Sequence, residues 1–325
     1  MGGKGSREIA FDIMKGIGIL LVIVGHSPYP PGWIHTWIFS FHMPLFFLVA
    51  GYFFKQDSDR VAFLKKNARR LLIPYFVTVF IVFFLCVLSA IKNSDPDFWK
   101  TQAMGLLFPS GLYSNWMLRW LRWTDGVGPP WFLIALFWSR VFFNRLLCAK
   151  VSLWAIIIIG VACTGIDRYV LNLPFSIMPG ASAMVFLAIG YLSRMQSVAW
   201  YIVLLCVVFW VLACRWSELD MRQCKYGLYP VDVLGACGGT LVTYYVSHFL
   251  SKFKSYFSGI PSFFSWAGRN SLFILCIHTI ILIFHPFKLL SIIDVWYVIL
   301  PLEIVVPLGV VYIGSKIKPA RWVFG

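Results

Sequence analysis

The sequence predicts an all-α, polytopic integral membrane protein of about ten transmembrane helices, with both ends in the cytoplasm. Three observations carry that reading. Apolar side chains make up 60% of the 325 residues and charged ones only 13%, far from the makeup of a soluble domain. The apolar residues fall into ten runs separated by polar breaks. The basic residues gather in alternate breaks, as the positive-inside rule requires of a chain threaded back and forth through a bilayer. A β-barrel would alternate apolar and polar positions over strands of about ten residues. Stretches such as Ile73 to Leu88 are apolar on every face, so helices are expected.

Taken in order, the runs are Ile13 to Ser27, Trp37 to Phe54, Leu72 to Ile91, Trp131 to Leu147, Leu153 to Val170, Ile177 to Leu192, Trp200 to Cys214, Val231 to Leu250, Leu272 to Pro286 and Trp296 to Ile313. Lys4 and Arg7 precede the first run. The dense group Lys55, Arg60, Lys65, Lys66, Arg69 and Arg70 divides the second from the third. Lys92 to Pro130 divides the third from the fourth, and its Tyr113, Trp99, Trp116, Trp120 and Trp123, interleaved with Arg119 and Arg122, suit a helix lying in the interface. Arg145 and Lys150 close the fourth run, Asp167 lies at the end of the fifth, and Arg194 follows the sixth. Glu218 and Asp220 follow the seventh, Lys252, Lys254 and Arg269 the eighth, and Lys316, Lys318 and Arg321 the last. With the N-terminus inside, the cytoplasm receives most of the basic residues and the opposite side most of the acidic ones. Several runs are short for a bilayer core of about 30 Å, which implies tilt or local thinning.

The whole chain, 1–325, reads as one membrane domain. Its net charge of +15 is accounted for by topology, and no nucleic-acid partner is implied. No cleavable signal peptide is evident, and the first run reads as a retained span. Most of the eight cysteines lie inside apolar runs without metal-type spacing and read as packing residues. Cys214 and Cys224 bracket a polar loop and could pair if that loop is periplasmic. There is no P-loop and no GxGxxG, which leaves nucleotide hydrolysis and dinucleotide redox chemistry without support. The scattered histidines, with no carboxylate at ligand spacing, give no metal signature.

Lys15 and His26 stand eleven positions apart on the first run. At about 100° and 1.5 Å per residue that spacing returns to nearly one face, with the two groups roughly 16 Å apart along the axis. Ionisable groups inside a membrane helix are costly unless they face a polar interior. A cation at one end and an imidazole deeper in could hold the phosphates and meet the thioester of an extended CoA, with His26 as general base. The alternative is that Lys15 snorkels to the headgroups and His26 is a hydrogen-bonded packing residue. Asp12, three residues before Lys15, is placed to pair with it.

The surrounding text narrows this choice. Phe11-Asp12-Ile13-Met14-Lys15-Gly16-Ile17-Gly18-Ile19 and Val22-Ile23-Val24-Gly25-His26 resemble the opening of the acyltransferase 3 family of membrane O-acyltransferases. Lys15, where Arg is frequent in that family, looks like the branch of fucose and other sugar O-acetyltransferases. Phe41-His42-Met43-Pro44-Leu45-Phe46-Phe47 with Gly51-Tyr52 is similar to that branch's second span. Arg69-Arg70-Leu71-Leu72-Ile73-Pro74-Tyr75 resembles the family's basic loop, and Trp131-Phe132-Leu133 with Ala135-Leu136-Phe137 its fourth span. Gly268-Arg269-Asn270-Ser271-Leu272, followed by His278, resembles its late span.

The resemblance implies a bacterial inner-membrane enzyme that moves an acyl group, most simply acetyl, from cytoplasmic acyl-CoA to a hydroxyl of an extracytoplasmic or lipid-linked glycan, with no permanently bound cofactor. It gives His26 the catalytic role and Lys15 the support of the donor. Arg69 and Arg70 are the next candidates for the CoA phosphates, since guanidinium grips phosphate bidentately; topology and lipid headgroups are the plainer reading of the same pair. His42 could orient His26 or bind the acceptor, and His278 is a candidate for acceptor binding; either could also be a satisfied core histidine. His35 in a loop, His248 at a span end and His285 beside Pro286 read as structural or solvated. Arg140, Asp232 and Glu303 stand out as charges within spans. A secondary transporter or flippase shares the many spans and buried polar groups, but a pair of broken helices in matching halves is missing here. Nothing in the sequence selects an acceptor sugar, an acyl length or an oligomeric state.

Overall fold

The computed structural model describes residues 4–27, 30–93, 98–111, 126–195, 198–252, 259–284 and 296–324. They form α1 (Lys4–His26), α2 (Gly32–Phe39), α3 (His42–Tyr52), α4 (Arg60–Asn67), a π-helical turn (Ala68–Leu72), α5 (Ile73–Asn93), α6 (Phe98–Leu107), α7 (Trp131–Cys148) and α8 (Leu153–Tyr169). There follow α9 (Ile177–Ser182), α10 (Met184–Met195), α11 (Trp200–Trp216), α12 (Tyr229–Lys252), α13 (Gly259–Arg269), α14 (Ser271–Phe284), α15 (Trp296–Gly314) and α16 (Lys318–Phe324). A two-stranded ribbon, β1 (Leu219–Asp220) and β2 (Lys225–Tyr226), is the only sheet among the described residues.

The fold is helical, as the apolar runs predict, and a helix covers the described part of each run. By length and composition, seven described helices or helix pairs can cross a membrane, and an eighth can if α13 and α14 act as one span bent by 76°. The difference from ten lies in α8 and α11. Each has 17 residues, about 26 Å of helix against a hydrocarbon core of about 30 Å. Two features went unread in the sequence: α13, which lies outside every predicted run, and the sharp bend that joins it to α14. On α5, Phe76, Phe80, Phe84 and Leu88 are exposed at helical spacing, the pattern of a face turned to lipid.

The chain divides into two compact units. Unit 1 comprises Met1–Phe46, Val198–Leu219 and Gly227–Gly325. Its centre is α1, whose Ala10, Ile13, Met14, Ile19 and Ile23 are almost wholly buried among α2, α12, α13, α14 and α15. Unit 2 comprises Phe47–Ser197 and Asp220–Tyr226, with α7 at its centre against α4, the π-helical turn, α8, α9 and α10. Its core includes Phe54 and Phe143, edge to face at 5.0 Å. Backbones approach closely where glycines allow it. A Cβ at Gly51 would overlap the Leu187 carbonyl, and one at Gly190 would overlap the Leu48 carbonyl, the small-residue packing expected where lipid supplies no hydrophobic drive. All eight cysteines are free thiols, Cys214 and Cys224 included.

Candidate active site

The site is built from three histidines of unit 1, delivered by three elements. His26 ends α1, His42 opens α3, and His278 lies on the second turn of α14. The His26 ring is 6.2 Å from that of His42 and 6.1 Å from that of His278, edge-on to both. His42 and His278 are each 1% exposed, while His26 is only partly buried. The structure therefore gathers the three histidines named by the sequence into one cluster and leaves the central one reachable.

Hydrogen bonds fix how these rings present themselves. His26 Nδ1 lies 2.9 Å from the Val22 carbonyl, one turn back on its own helix. A carbonyl only accepts, so Nδ1 carries the proton, and in the neutral ring it is Nε2 that bears the lone pair. His42 repeats the arrangement on the Ile38 carbonyl at 2.9 Å. Both ring nitrogens of His278 are buried without a hydrogen-bonding partner among the described residues. A buried polar group left unpaired is costly, so His278 is the ring with capacity to hold a bound hydroxyl or water.

The corner between α2 and α3 sets His42 in place. Phe39 packs against His42 at 4.7 Å and His26 at 5.4 Å. Ser40, just past it, accepts a hydrogen bond from the Trp210 indole at 2.8 Å. Neither Phe39 nor Trp210 was a candidate from sequence, because an aromatic in an apolar run carries no sign of the ring it will touch. His35, expected in a loop, is exposed on α2 and stacks on Phe39 at 3.9 Å. Nearby, Glu303 of α15 is 3% exposed and lies against the Ser27 hydroxyl, next to His26. The two stop short of hydrogen-bond geometry, so the Ser27 hydroxyl and Glu303 Oε2 have no hydrogen-bond partner among the described residues.

The other end of α1 carries charge. Lys15 Nζ pairs with Asp12 at 2.8 Å, as the i,i+3 spacing predicts, and Arg269 Nη1 lies 3.9 Å from the second Asp12 oxygen. Arg269 comes so near because α13 crosses α1 glycine to glycine. A Cβ at Gly268 would overlap the Asp12 carbonyl, and one at Gly16 the Phe264 carbonyl. The bend follows immediately, with Asn270 Nδ2 donating to the Trp266 carbonyl at 2.9 Å. One elbow thus sends Arg269 to the charged end of α1 and His278 to His26.

The remaining candidates lie elsewhere. Arg69 and Arg70 are exposed on the π-helical turn of unit 2, and Arg140 of α7 donates from Nε to Asn67 Oδ1 at 2.6 Å. Asp232 accepts the Leu228 N–H at 2.9 Å at the start of α12, a helix-capping role. His248 stacks on Tyr244. Trp99 is exposed on α6, while Tyr113, Trp116, Arg119, Trp120, Arg122, Trp123, His285 and Pro286 lie outside the described residues. No group of three His, Cys, Asp or Glu among the described residues is disposed to hold a metal ion.

A family profile described as an acyltransferase domain matches residues 8–315, nearly the whole chain and both units. The chain belongs to the acyltransferase 3 family. Nodulation protein NolL of Mesorhizobium japonicum is 29% identical over 178 residues, 47% of this chain and 40% of NolL. NolL of Sinorhizobium fredii is 29% identical over 195 residues, 51% of this chain and 47% of that protein. These alignments therefore cover less than half of either relative. No solved structure matches the chain. For this acyltransferase 3 domain, the family match runs from within α1 to the end of α15 and takes in Lys15, His26, His42 and His278.

Proposed function

We propose that this chain is a multi-pass O-acyltransferase of a bacterial inner membrane, carrying an acyl group, most simply acetyl, from cytoplasmic acyl-CoA to a hydroxyl of an extracytoplasmic or lipid-linked glycan. The observation that carries the reading is the presentation of His26. Its Nδ1 is tied to the Val22 carbonyl, so Nε2 is offered as a base between two further imidazoles, in a chain of the acyltransferase 3 family. The proposed arrangement is a single domain of ten spans with both ends in the cytoplasm. Lys15, Arg69 and Arg70 support the donor phosphates.

In the proposed reaction, His26 Nε2 takes the proton of the acceptor hydroxyl as its oxygen attacks the thioester carbonyl. Collapse of the tetrahedral species breaks the carbon–sulfur bond, and the proton on Nε2 passes to the departing CoA sulfur. The products are an ester and CoA–SH, with neutral His26 restored. His278 has hydrogen-bonding capacity to hold the acceptor, and His42 fixes the edge of the His26 ring. The deciding experiment supplies acetyl-labelled acetyl-CoA to inverted membrane vesicles containing the intact protein or H26A. Labelled glycan and CoA release from the intact protein alone would support the reading; with native acceptors present and folding verified, no turnover by either would refute an acetyl donor.

A further inference from the structure

The His26 ring has Phe39 at 5.4 Å, His278 at 6.1 Å and His42 at 6.2 Å. Of these neighbours, His42 and His278 are buried, whereas Phe39 is only partly so. Phe39 in turn carries the His35 ring on its face, 3.9 Å between centroids and 18° from parallel. His35 is exposed, so a line of ring contacts runs outward from His26 over Phe39 to His35. The two steps, 5.4 and 3.9 Å, keep the His35 and His26 centroids within 9.3 Å of each other. Phe39 is seated against the residue before His26, since a Cβ at Gly25 would lie 3.0 Å from the Phe39 ring.

Helix α2 has two faces. Trp33 and Trp37, four residues apart, are 69% and 37% exposed, and Trp37 meets Trp210 of α11 at 4.9 Å. Tryptophans displayed this way suit the aromatic belt that anchors membrane proteins at the interface. His35 and Phe39 are also four apart, but at about 100° per residue they lie roughly 200° around the helix from the tryptophans. Anchoring thus accounts for one face of α2 and leaves the other, which leads to His26, without a role.

An acceptor that hands a hydroxyl to His26 Nε2 has neighbouring parts of itself over Phe39 and His35. A stacked phenyl and imidazole offer a flat apolar surface with polar ring nitrogens at its rim. A pyranose has the matching form, with C–H groups on its face and hydroxyls around its edge. A small flexible alcohol has the hydroxyls but no face to rest on such a surface.

We infer that His35 and Phe39 form an acceptor subsite that holds a sugar ring while one of its hydroxyls reaches His26. The delivery of that hydroxyl rests on the acyl-transfer reading; the sugar contact can be measured without turnover.

The test uses the full chain in nanodiscs, where both faces are open to solution, with acetyl-CoA as donor. The acceptors are methyl glycosides of fucose, galactose and glucose, and glycerol as a hydroxyl acceptor without a ring. Acetylated product is measured for the intact protein, H35A, F39L and W33A, and contact with the glycosides is followed separately by saturation-transfer NMR. H35A and F39L raise the KM for the acetylated glycoside about tenfold, the loss of a ring contact or a hydrogen bond. Both leave the acetyl-CoA KM and the acetylation of glycerol unchanged, which a general loss of structure would not do. W33A, on the anchoring face, keeps the values of the intact protein. H35A alters an exposed side chain and decides the question even if F39L does not fold. Equal glycoside KM in the intact protein and H35A would overturn the inference and leave the acyl-transfer reading standing, as would an equal loss with glycosides and glycerol. Saturation transfer that H35A abolishes, with no acetylation of any acceptor, would keep the subsite and overturn the acetyl-donor reading. The absence of both acetylation and saturation transfer would overturn both.

Discussion

If His26 is the base, removing its Nε2 lone pair while keeping the Nδ1 contact should abolish turnover without disturbing the fold. The structure supplies a substitution that does this. His26 Nδ1 donates to the Val22 carbonyl one turn back, and an asparagine amide can make the same bond while offering no base. That bond contributes about 0.5–1.5 kcal/mol, so H26N should keep thermal stability close to that of the intact protein, and H26A should lose about that amount. General-base assistance is worth roughly 10²–10⁴ in rate, so both variants should fall by that factor in CoA release at saturating donor. The assay pairs CoA release from inverted vesicles with a melting curve of the same protein in detergent. H26N turning over within about tenfold of the intact protein would refute the base assignment. A melting temperature that collapses in H26N would show that the ring is structural.

Three further outcomes follow from the geometry. G268V sets side-chain atoms against the Asp12 carbonyl, and overpacking of this kind costs about 1–3 kcal/mol; an unchanged melting temperature would refute the α1–α13 crossing. D12N frees Lys15 and Arg269 from a partly exposed carboxylate, which costs at most about 1 kcal/mol of stability and should lower the donor KM at low salt; a raised KM would show that Asp12 orients Lys15. Cys224, in the loop between α11 and α12, is 1% exposed, and burial first, then the neighbouring Asp167, pushes its thiol well above the usual range. It should resist maleimide in the folded protein and react on unfolding. Because the folded state holds this proton to higher pH than the unfolded one, stability falls as pH rises past the unfolded thiol value of about 8.5, by at most about 1.4 kcal/mol per unit. Rapid labelling of Cys224 in folded protein would contradict its burial.

What the sequence made legible was what lies along one helix. Lys15, His26 and Asp12 sit at spacings that a regular α1 converts directly into one face and one ion pair, and both can be read without tertiary information. His42 and His278 could be named, but their approach to His26 could not be read, because it depends on a corner fixed by Trp210 and Ser40 and on a bend at Asn270. Helix α13 was missed since its 11 residues mix Gly, Pro, Ser and Arg with apolar side chains and so form no continuous apolar run. The π-helical turn left no trace either. Arg69-Arg70-Leu71-Leu72 reads equally well as α-helix.

The partner of the His26 ring has a consequence for mechanism. A carboxylate at the place of the Val22 carbonyl would orient the imidazole equally well, but its charge would favour the protonated ring before an acceptor arrived. A backbone carbonyl orients the ring while adding no net charge. In the proposed mechanism the imidazolium that forms during transfer is flanked by two more imidazoles. If the donor is acyl-CoA as proposed, the departing CoA sulfur is the recipient of that proton. Under the proposed reading, direct transfer asks one ring to take a proton and return it within a single turnover, and H26N, which keeps the Nδ1 contact without the base, tests that demand.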